Sequence, residues 1–457
     1  MSTAGACQVM QSWGRVEREP HELLGMPQRH TALPLPAAGT LLPYGNGRSY
    51  GDSNLNPGGA LLLARQLDRF ISFDAATGVL QCEAGVLLAD IIKLTLPQGW
   101  FLPVTPGTQF VTVGGAIAND VHGKNHHVAG TFGLHVRSLE LLRSDGSRRV
   151  CSPHDNADWF GATIGGLGLT GLITWVELQL RRVHNPWLNS ETIKFSSVEG
   201  FFELSAASET THEYTVAWVD CAASGASLGR GLFNRANHAP AVLDDDALRQ
   251  VPAAAAPPTR NMPLTPPVSM VNSLSLRAFN WAYYHRQRQS QVRGLQHYRP
   301  FFYPLDALLN WNRMYGPKGF YQYQCVVPPA DALEVTRTLL QTIARSGSGS
   351  FLAVLKQFGD VASPGWLSFP VRGTTLALDF PNHGEPTLRL FSSLDAIVRE
   401  AGGRLYPAKD GRLPGGMFQQ GHPRWRDFSA YVDPRFSSGL WRRVSAPAHA
   451  PRSSSSL

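Results

Sequence analysis

Apolar and polar residues alternate in several short runs, and each run predicts a strand with one buried face. Leu61–Leu63, Phe70–Phe73 and Val79–Val86 come first. Leu172–Leu180 and Tyr214–Asp220 follow, and Tyr321–Val327 puts Gln322 and Gln324 on one face. Ser350–Lys356 and Thr374–Phe380 predict two more. Val136–Arg143 and Arg149–Cys151 flank Ser144-Asp145-Gly146-Ser147, the residue chemistry of a hairpin turn. Helical patterns cover Leu87–Leu96 up to Pro97, Asp158–Ile164, Pro329–Ile343 and Arg389–Glu400, the last stopped by Gly402-Gly403. Hairpins and helices without strict strand–helix alternation read as an α+β chain.

One stretch, Pro103–Leu134, departs from these periods. Turn residues Pro106 and Gly107 precede a β-type run, Phe110–Val113, and then Gly114-Gly115-Ala116-Ile117-Ala118 reads as a helix start built from small residues. Unpaired amides and the positive dipole end at such a start suit a pyrophosphate. His122, Lys124, Asn125, His126 and His127 follow directly. A second Gly-rich loop, Gly45-Asn46-Gly47-Arg48-Ser49-Tyr50-Gly51-Asp52, could curve around a ligand with its amides exposed. Gly166–Gly171 matches GxGxxG, but a helix pattern precedes it and a strand follows, the reverse of a dinucleotide fingerprint; a classical dinucleotide fold is rejected.

At 457 residues two domains are expected. The texture changes near Trp187, and residues 236–270, with Asp244-Asp245-Asp246 and seven prolines, read as mobile, as does the tail Ser453–Leu457. No apolar run approaches the roughly 20 residues of a membrane span, and the first residues lack a secretory pattern. Five scattered cysteines fit a reducing, cytoplasmic compartment and speak against a disulfide framework or a thiolate metal site. The net charge of +7 allows acidic partners, yet no basic tract forms a nucleic-acid footprint. His122 and His126 would share a helix face, but no HExxH or nearby acid supports a metal, and none is assigned.

GNGRSYGD at 45–52, the PGTQFVTVGGAIANDVHGKNHH block from Pro106, and Gly166–Gly171 resemble the flavin domain of the vanillyl-alcohol-oxidase (p-cresol methylhydroxylase, PCMH) superfamily. Asn312-Arg-Met-Tyr315, Tyr321-Gln-Tyr-Gln324, Leu355-Lys-Gln-Phe358 and Arg404-Leu-Tyr-Pro-Ala-Lys409-Asp extend the resemblance, over about residues 12–440, to its decaprenylphosphoryl-ribose oxidase branch. The resemblance implies a two-part PCMH-type FAD-binding domain, residues 1–185 and 404–457, around a substrate domain, 186–403, built on an antiparallel sheet with helices. It implies FAD as cofactor, lined by Pro43, Tyr44, Gly45, Asn46, Gly47, Arg48, Ser49, Tyr50, Gly51, Asp52 and Ser53. Gly107, Thr112, Val113, Gly114 and Gly115 would continue that lining. So would Asn119, Asp120, Val121, His122, Ile173 and Tyr406.

The implied reaction is oxidation of a secondary sugar hydroxyl. Lys409, His122, Tyr315 and Gln324 would serve it; Lys124, Trp218, Gln322, Lys356 and Phe358 would hold the sugar or lipid-linked sugar. Lys409 could act as base or remain cationic, and the two other lysines could bind phosphate. A keto-reducing epimerase partner and, at most, peripheral membrane contact are implied. Ala377 and Thr375 stand where the branch has cysteine and asparagine, and the first Gly-rich loop lacks the His that tethers flavin in some relatives, so a non-covalent cofactor is expected. A soluble alditol or aldonolactone oxidase, and a flavin-binding protein without turnover, remain as alternatives.

Overall fold

The computed structural model describes residues 7–242 and 259–446. The three aspartates at 244–246 and the tail at 453–457 lie outside the described residues. Three sheets organise the rest. Cys7–Gln11, Arg18–Gly25, Ala60–Leu63 and Leu41–Tyr44 make a four-stranded sheet, in which Ala60–Leu63 runs parallel to both of its neighbours. Phe70–Asp74, Val79–Glu83, Leu172–Gln179, Val136–Leu142 and Arg148–Cys151 make an antiparallel five-stranded sheet. The largest sheet has eight antiparallel strands, ordered Gln291–His297, Trp187–Phe195, Gly231–His238, Tyr214–Val219, Ala353–Phe358, Gly373–Pro381, Phe320–Val327 and Arg404–Leu405. Mixed helices and antiparallel sheets give an α+β architecture.

The alternation of the large sheet explains its position. Tyr323, Cys325, Leu355, Leu376 and Leu378 are buried against helices Ala332–Ser346 and Glu385–Glu400. Burying a side chain such as Leu376 contributes about 2 kcal/mol. The opposite face carries Gln322, Gln324, Thr375, Ala377 and Lys356, and it turns toward the Gly-rich loops.

Several elements went unread in the pattern. The strands Cys7–Gln11, Arg18–Gly25 and Gln291–His297 carry few apolar repeats, and tertiary pairing holds them; the helix Ser273–His285 has apolar residues on both its inward and outward sides, so no single buried stripe marks it. Phe110–Val113 is not a strand: Thr112 is the N-cap of a helix, Val113–Ala118, its hydroxyl accepting from Gly115 N at 3.0 Å.

The chain beyond 404 returns to the N-terminal sheets. Leu41 N donates to Arg435 O at 2.7 Å, Asp433 accepts from Ser144, and Arg443 grips Asp52 at 2.7 and 2.9 Å. No helix among the described residues is long and apolar enough to cross a membrane.

Candidate active site

A cavity of about 1040 Å³ lies between the Gly-rich loops and the polar face of the large sheet. Its volume and its lining, backbone loops on one side and polar side chains on the other, suit a large ligand with an anionic centre and a flat head.

The loop after Leu41–Tyr44 forms one end. Gly47 sits at φ 60°, a conformation that L residues resist, and a Cβ there would strike the Tyr44 hydroxyl. Gly51 packs so closely on Gly411 that no Cβ fits. The amides of Gly45, Asn46, Gly47, Arg48 and Ser49 donate to no acceptor among the described residues, whereas Tyr50 N is held by Ala408 O at 3.0 Å. Ser53 Oγ, Arg48 Nε and both amide atoms of Asn54 are buried without partners. Unmet donors around a hollow are costly unless a ligand accepts from them, so this end fits the pyrophosphate and ribose of FAD.

The small-residue helix start behaves differently from the sequence expectation. Val113 N donates to Val86 O, Gly114 N to Ala84 O, and Gly115 N to Thr112 Oγ1. Those amides are already spent, so Gly114 and Gly115 supply close approach to backbone while the open donors belong to 45–49. The structure also turns several expected lining groups away. Asp52 is clasped by Arg443. Asp120, at φ 38°, accepts from Gly133 N and from the hydroxyls of Ser363 and Ser368. Tyr44 and Gly51 support the loop from behind, and Val113 is core. Pro43, Gly107, Thr112, Asn119, Val121, Ile173 and Tyr406 do line the cavity. Tyr406 reaches there because its amide bonds Gln324 O and its hydroxyl bonds Asn119 O, both at 3.0 Å.

Cross-strand pairing builds the other end. Gln322 opposes Asp379, Gln324 opposes Ala377, Lys356 opposes Thr375, Ala377 opposes Val354, and Val354 opposes Trp218. Opposed residues share a face, which brings Trp218, Gln322, Gln324, Lys356 and Ala377 to one wall. Gln324 Nε2 lies 3.1 Å from His122 Nε2 and donates to Thr375 Oγ1 at 3.3 Å. His122 and His126 do not share a helix, since the helix starts at His126; both rings pack on Phe358, at 4.8 and 4.5 Å between centroids. Phe358, two residues beyond Lys356 on the same face, is covered by those rings, and neither it nor Tyr315 lines the cavity. Tyr315 stacks on Phe320 with centroids 4.1 Å apart and directs its hydroxyl to Asp379 Oδ2 at 3.5 Å.

Three lysines converge on the same hollow. Each keeps a face on the cavity while surrounding protein excludes bulk water. Burial lowers Lys124 to about 7, with the Lys356 charge adding to it. Burial and the Lys409 charge lower Lys356 to about 7. Burial lowers Lys409 to about 8, opposed by Asp379, and its Nζ sits 4.1 Å above the Tyr50 ring. Lys124 donates to Phe301 O. Desolvation and the nearby lysines hold His122 neutral.

Asp379 was missed in the sequence. It is buried, accepts from Gln322 Nε2 at 2.7 Å, and burial pushes it up to about 7 against the pull of Gln322, Lys409 and Tyr315. The signal was present: Thr375, Ala377 and Asp379 fall at i, i+2 and i+4 of one strand and hence on one face. Phe301, Phe302 and Tyr303 also line the cavity. Tyr303 and Thr105 share a hydroxyl–hydroxyl bond at 2.6 Å. No pattern in the chain marked them.

Comparison with known proteins agrees with this geometry. Residues 37–152 match the model of an FAD binding domain. Decaprenylphosphoryl-β-D-ribose oxidase of Mycolicibacterium smegmatis is 38% identical, over 88% of this chain and 89% of that protein. A Streptomyces coelicolor protein, named an uncharacterized protein in the mprA 5′ region, is 36% identical over 79% of this chain and all of its own length. The Δ(24)-sterol reductase of Macaca fascicularis is 28% identical over 31% of this chain and 27% of that protein. With one relative matched along nearly its whole length and open donors where the flavin pyrophosphate belongs, the chain belongs to the decaprenylphosphoryl-β-D-ribose oxidase family of FAD-dependent oxidoreductases, with FAD as its cofactor.

Proposed function

We propose that this enzyme oxidises a secondary hydroxyl of a pentose carried on a polyprenyl phosphate, and that residues up to about 185 and from 404 onward form one two-part flavin unit of the PCMH type. The observation that carries the substrate reading is the convergence of Lys124, Lys356 and Lys409 on one cavity wall that also presents Gln322 and Gln324. Bound FAD supplies the hydride acceptor for the carbinol carbon. Lys409, lowered to about 8 and so neutral in about one molecule in ten at pH 7, takes the hydroxyl proton on Nζ. Asp379 stabilises the resulting ammonium, and Tyr315 and Gln322 hold that carboxylate in place. Gln324, fixed by His122 and Thr375, orients the sugar through an amide that can donate and accept. Lys124 and Lys356, lowered to about 7 by burial, would be held in their cationic form by a bound phosphodiester and pair with it. Ala377 and Thr375 leave more room and one amide fewer than the branch pattern, so they tune which pentose fits. A reductase partner would consume the keto sugar released.

Anaerobic flavin bleaching tests this reading. A polyprenyl-phospho-pentose should bleach the enzyme's flavin far faster than the free pentose, an alditol or an aldonolactone. Faster bleaching by the free compounds would overturn the lipid-linked assignment. No bleaching by any of them would favour a binding protein without turnover.

A further inference from the structure

Between Thr259 and Leu305 the chain has six arginines and no acidic residue. The same stretch carries a concentration of exposed apolar side chains. Leu274 is 78% exposed and Trp281 is 59% exposed on the helix Ser273–His285, and Leu264, Val268 and Met270 are exposed on the approach to it. The helix buries Leu276 and Asn280, one turn apart, against the body of the protein. Leu274, Ala278, Trp281 and His285 recur at i, i+4, i+7 and i+11, which is one outward face, with Arg277 and Arg288 exposed beside it. An outward stripe of Leu and Trp flanked by arginines is the reverse of an ordinary solvated helix face. The inward side of the same helix opens on the cavity, which Tyr283 and Arg286 help to line. Tyr283 packs on Trp218 with centroids 4.6 Å apart.

We propose that this face seats the enzyme on an anionic membrane leaflet. Arg277 and Arg288 lie over headgroup phosphates, and Met270, Leu274 and Trp281 enter the boundary between headgroups and acyl chains. Charge complementarity selects the occupant: Arg293 is answered by Glu191 and Arg286 lies over the Tyr283 ring, but an uncharged apolar partner would leave the exposed Arg277 and Arg288 unanswered, while an anionic bilayer satisfies both these charges and the apolar stripe. Trp has the amphipathic ring that favours this depth. On the proposed reading of a polyprenyl-linked substrate, the seat also places the cavity mouth against the leaflet that holds the lipid, so the sugar enters without the tail leaving the bilayer.

The test is co-sedimentation of the FAD-loaded full chain with vesicles that contain no substrate, so a soluble sugar specificity would leave the outcome intact. Mixed phosphatidylcholine–phosphatidylglycerol vesicles should bind the enzyme, phosphatidylcholine alone should bind it weakly, and added salt should release it. Leu274→Ser combined with Trp281→Ser should weaken binding by about tenfold or more. Arg277→Gln and Arg288→Gln should each weaken it about fivefold, the equivalent of about 1 kcal/mol per basic residue. All variants should keep the parent flavin spectrum and melting temperature, since these side chains are exposed. Failure to bind the anionic vesicles, or binding unchanged in both sets of variants, overturns the proposal. So does a concentration-dependent dimer that the Leu274/Trp281 variant abolishes, because the face would then belong to a second copy of the chain.

Discussion

Replacing Lys409 with alanine is the sharpest perturbation of the proposed chemistry. Burial brings its ammonium from 10.5 to about 8, and Asp379 opposes that fall. At pH 7 a pKa of 8 leaves about one molecule in ten neutral, against roughly one in three thousand for an ordinary lysine, so the site multiplies the available base about 300-fold. Losing a positioned proton acceptor costs two to four powers of ten, so Lys409→Ala should slow flavin reduction by a factor of about 10² to 10⁴. FAD content should stay near the parent value, because the open donors of residues 45–49 are backbone amides and Tyr50 N is held by the backbone carbonyl of Ala408, so neither depends on the Lys409 side chain. The assay is rapid-mixing anaerobic reduction across pH. The parent rate should rise with pH and level off above about 8. In Asp379→Asn the anion that favours the ammonium is gone, so the limb should move to lower pH. Equal reduction rates in Lys409→Ala and the parent would refute the assignment and shift it to His122. A limb that moves upward in Asp379→Asn would refute the coupling.

Acid or heat should release FAD into the supernatant, since the loop at 45–51 has no His to tether it; absorbance of the precipitated pellet checks this. Gln324→Ala should lower kcat/KM by about one to three kcal/mol of transition-state stabilisation, because His122 and Thr375 lose a buried partner. Arg443→Ala should destabilise the fold by about 1–3 kcal/mol, measured by denaturant melts, as the partly buried Asp52 carboxylate loses both of its guanidinium hydrogen bonds. Asp379 has a native pKa raised from 3.8 to about 7. Its protonated form therefore stabilises the fold fully below about pH 4, and that contribution is lost as pH rises through 7. Asp379→Asn should accordingly gain stability over the parent above pH 7, by at most about 4 kcal/mol, and gain none near pH 4.

Much of the architecture could be read along the chain. Tyr321–Val327 and Thr374–Phe380 alternate because one face packs on helices while the other meets a polar cavity, and Leu172–Leu180 alternates because Trp175, Glu177 and Gln179 face solvent; a two-residue period records such a division directly. The hairpin at 136–151 rests on local turn chemistry, which also needs no tertiary information. The Gly-rich loop at 45–51 announced close backbone approach, since only glycine tolerates the geometry at Gly47 and Gly51. What the chain order could not decide was which donors remain open. The amides of Gly114 and Gly115 look free in sequence, yet the helix's own N-cap, Thr112, claims Gly115 N, and the carbonyl of Ala84, thirty residues earlier, claims Gly114 N through a contact that only the tertiary structure makes. The proton-handling pair was equally hidden: Lys409 and Asp379 come together only because Arg404–Leu405 joins the sheet edge beside Phe320–Val327. Whether a lysine titrates near 8 or an aspartate near 7 depends on how much water the packed structure removes, and only the tertiary structure sets that amount.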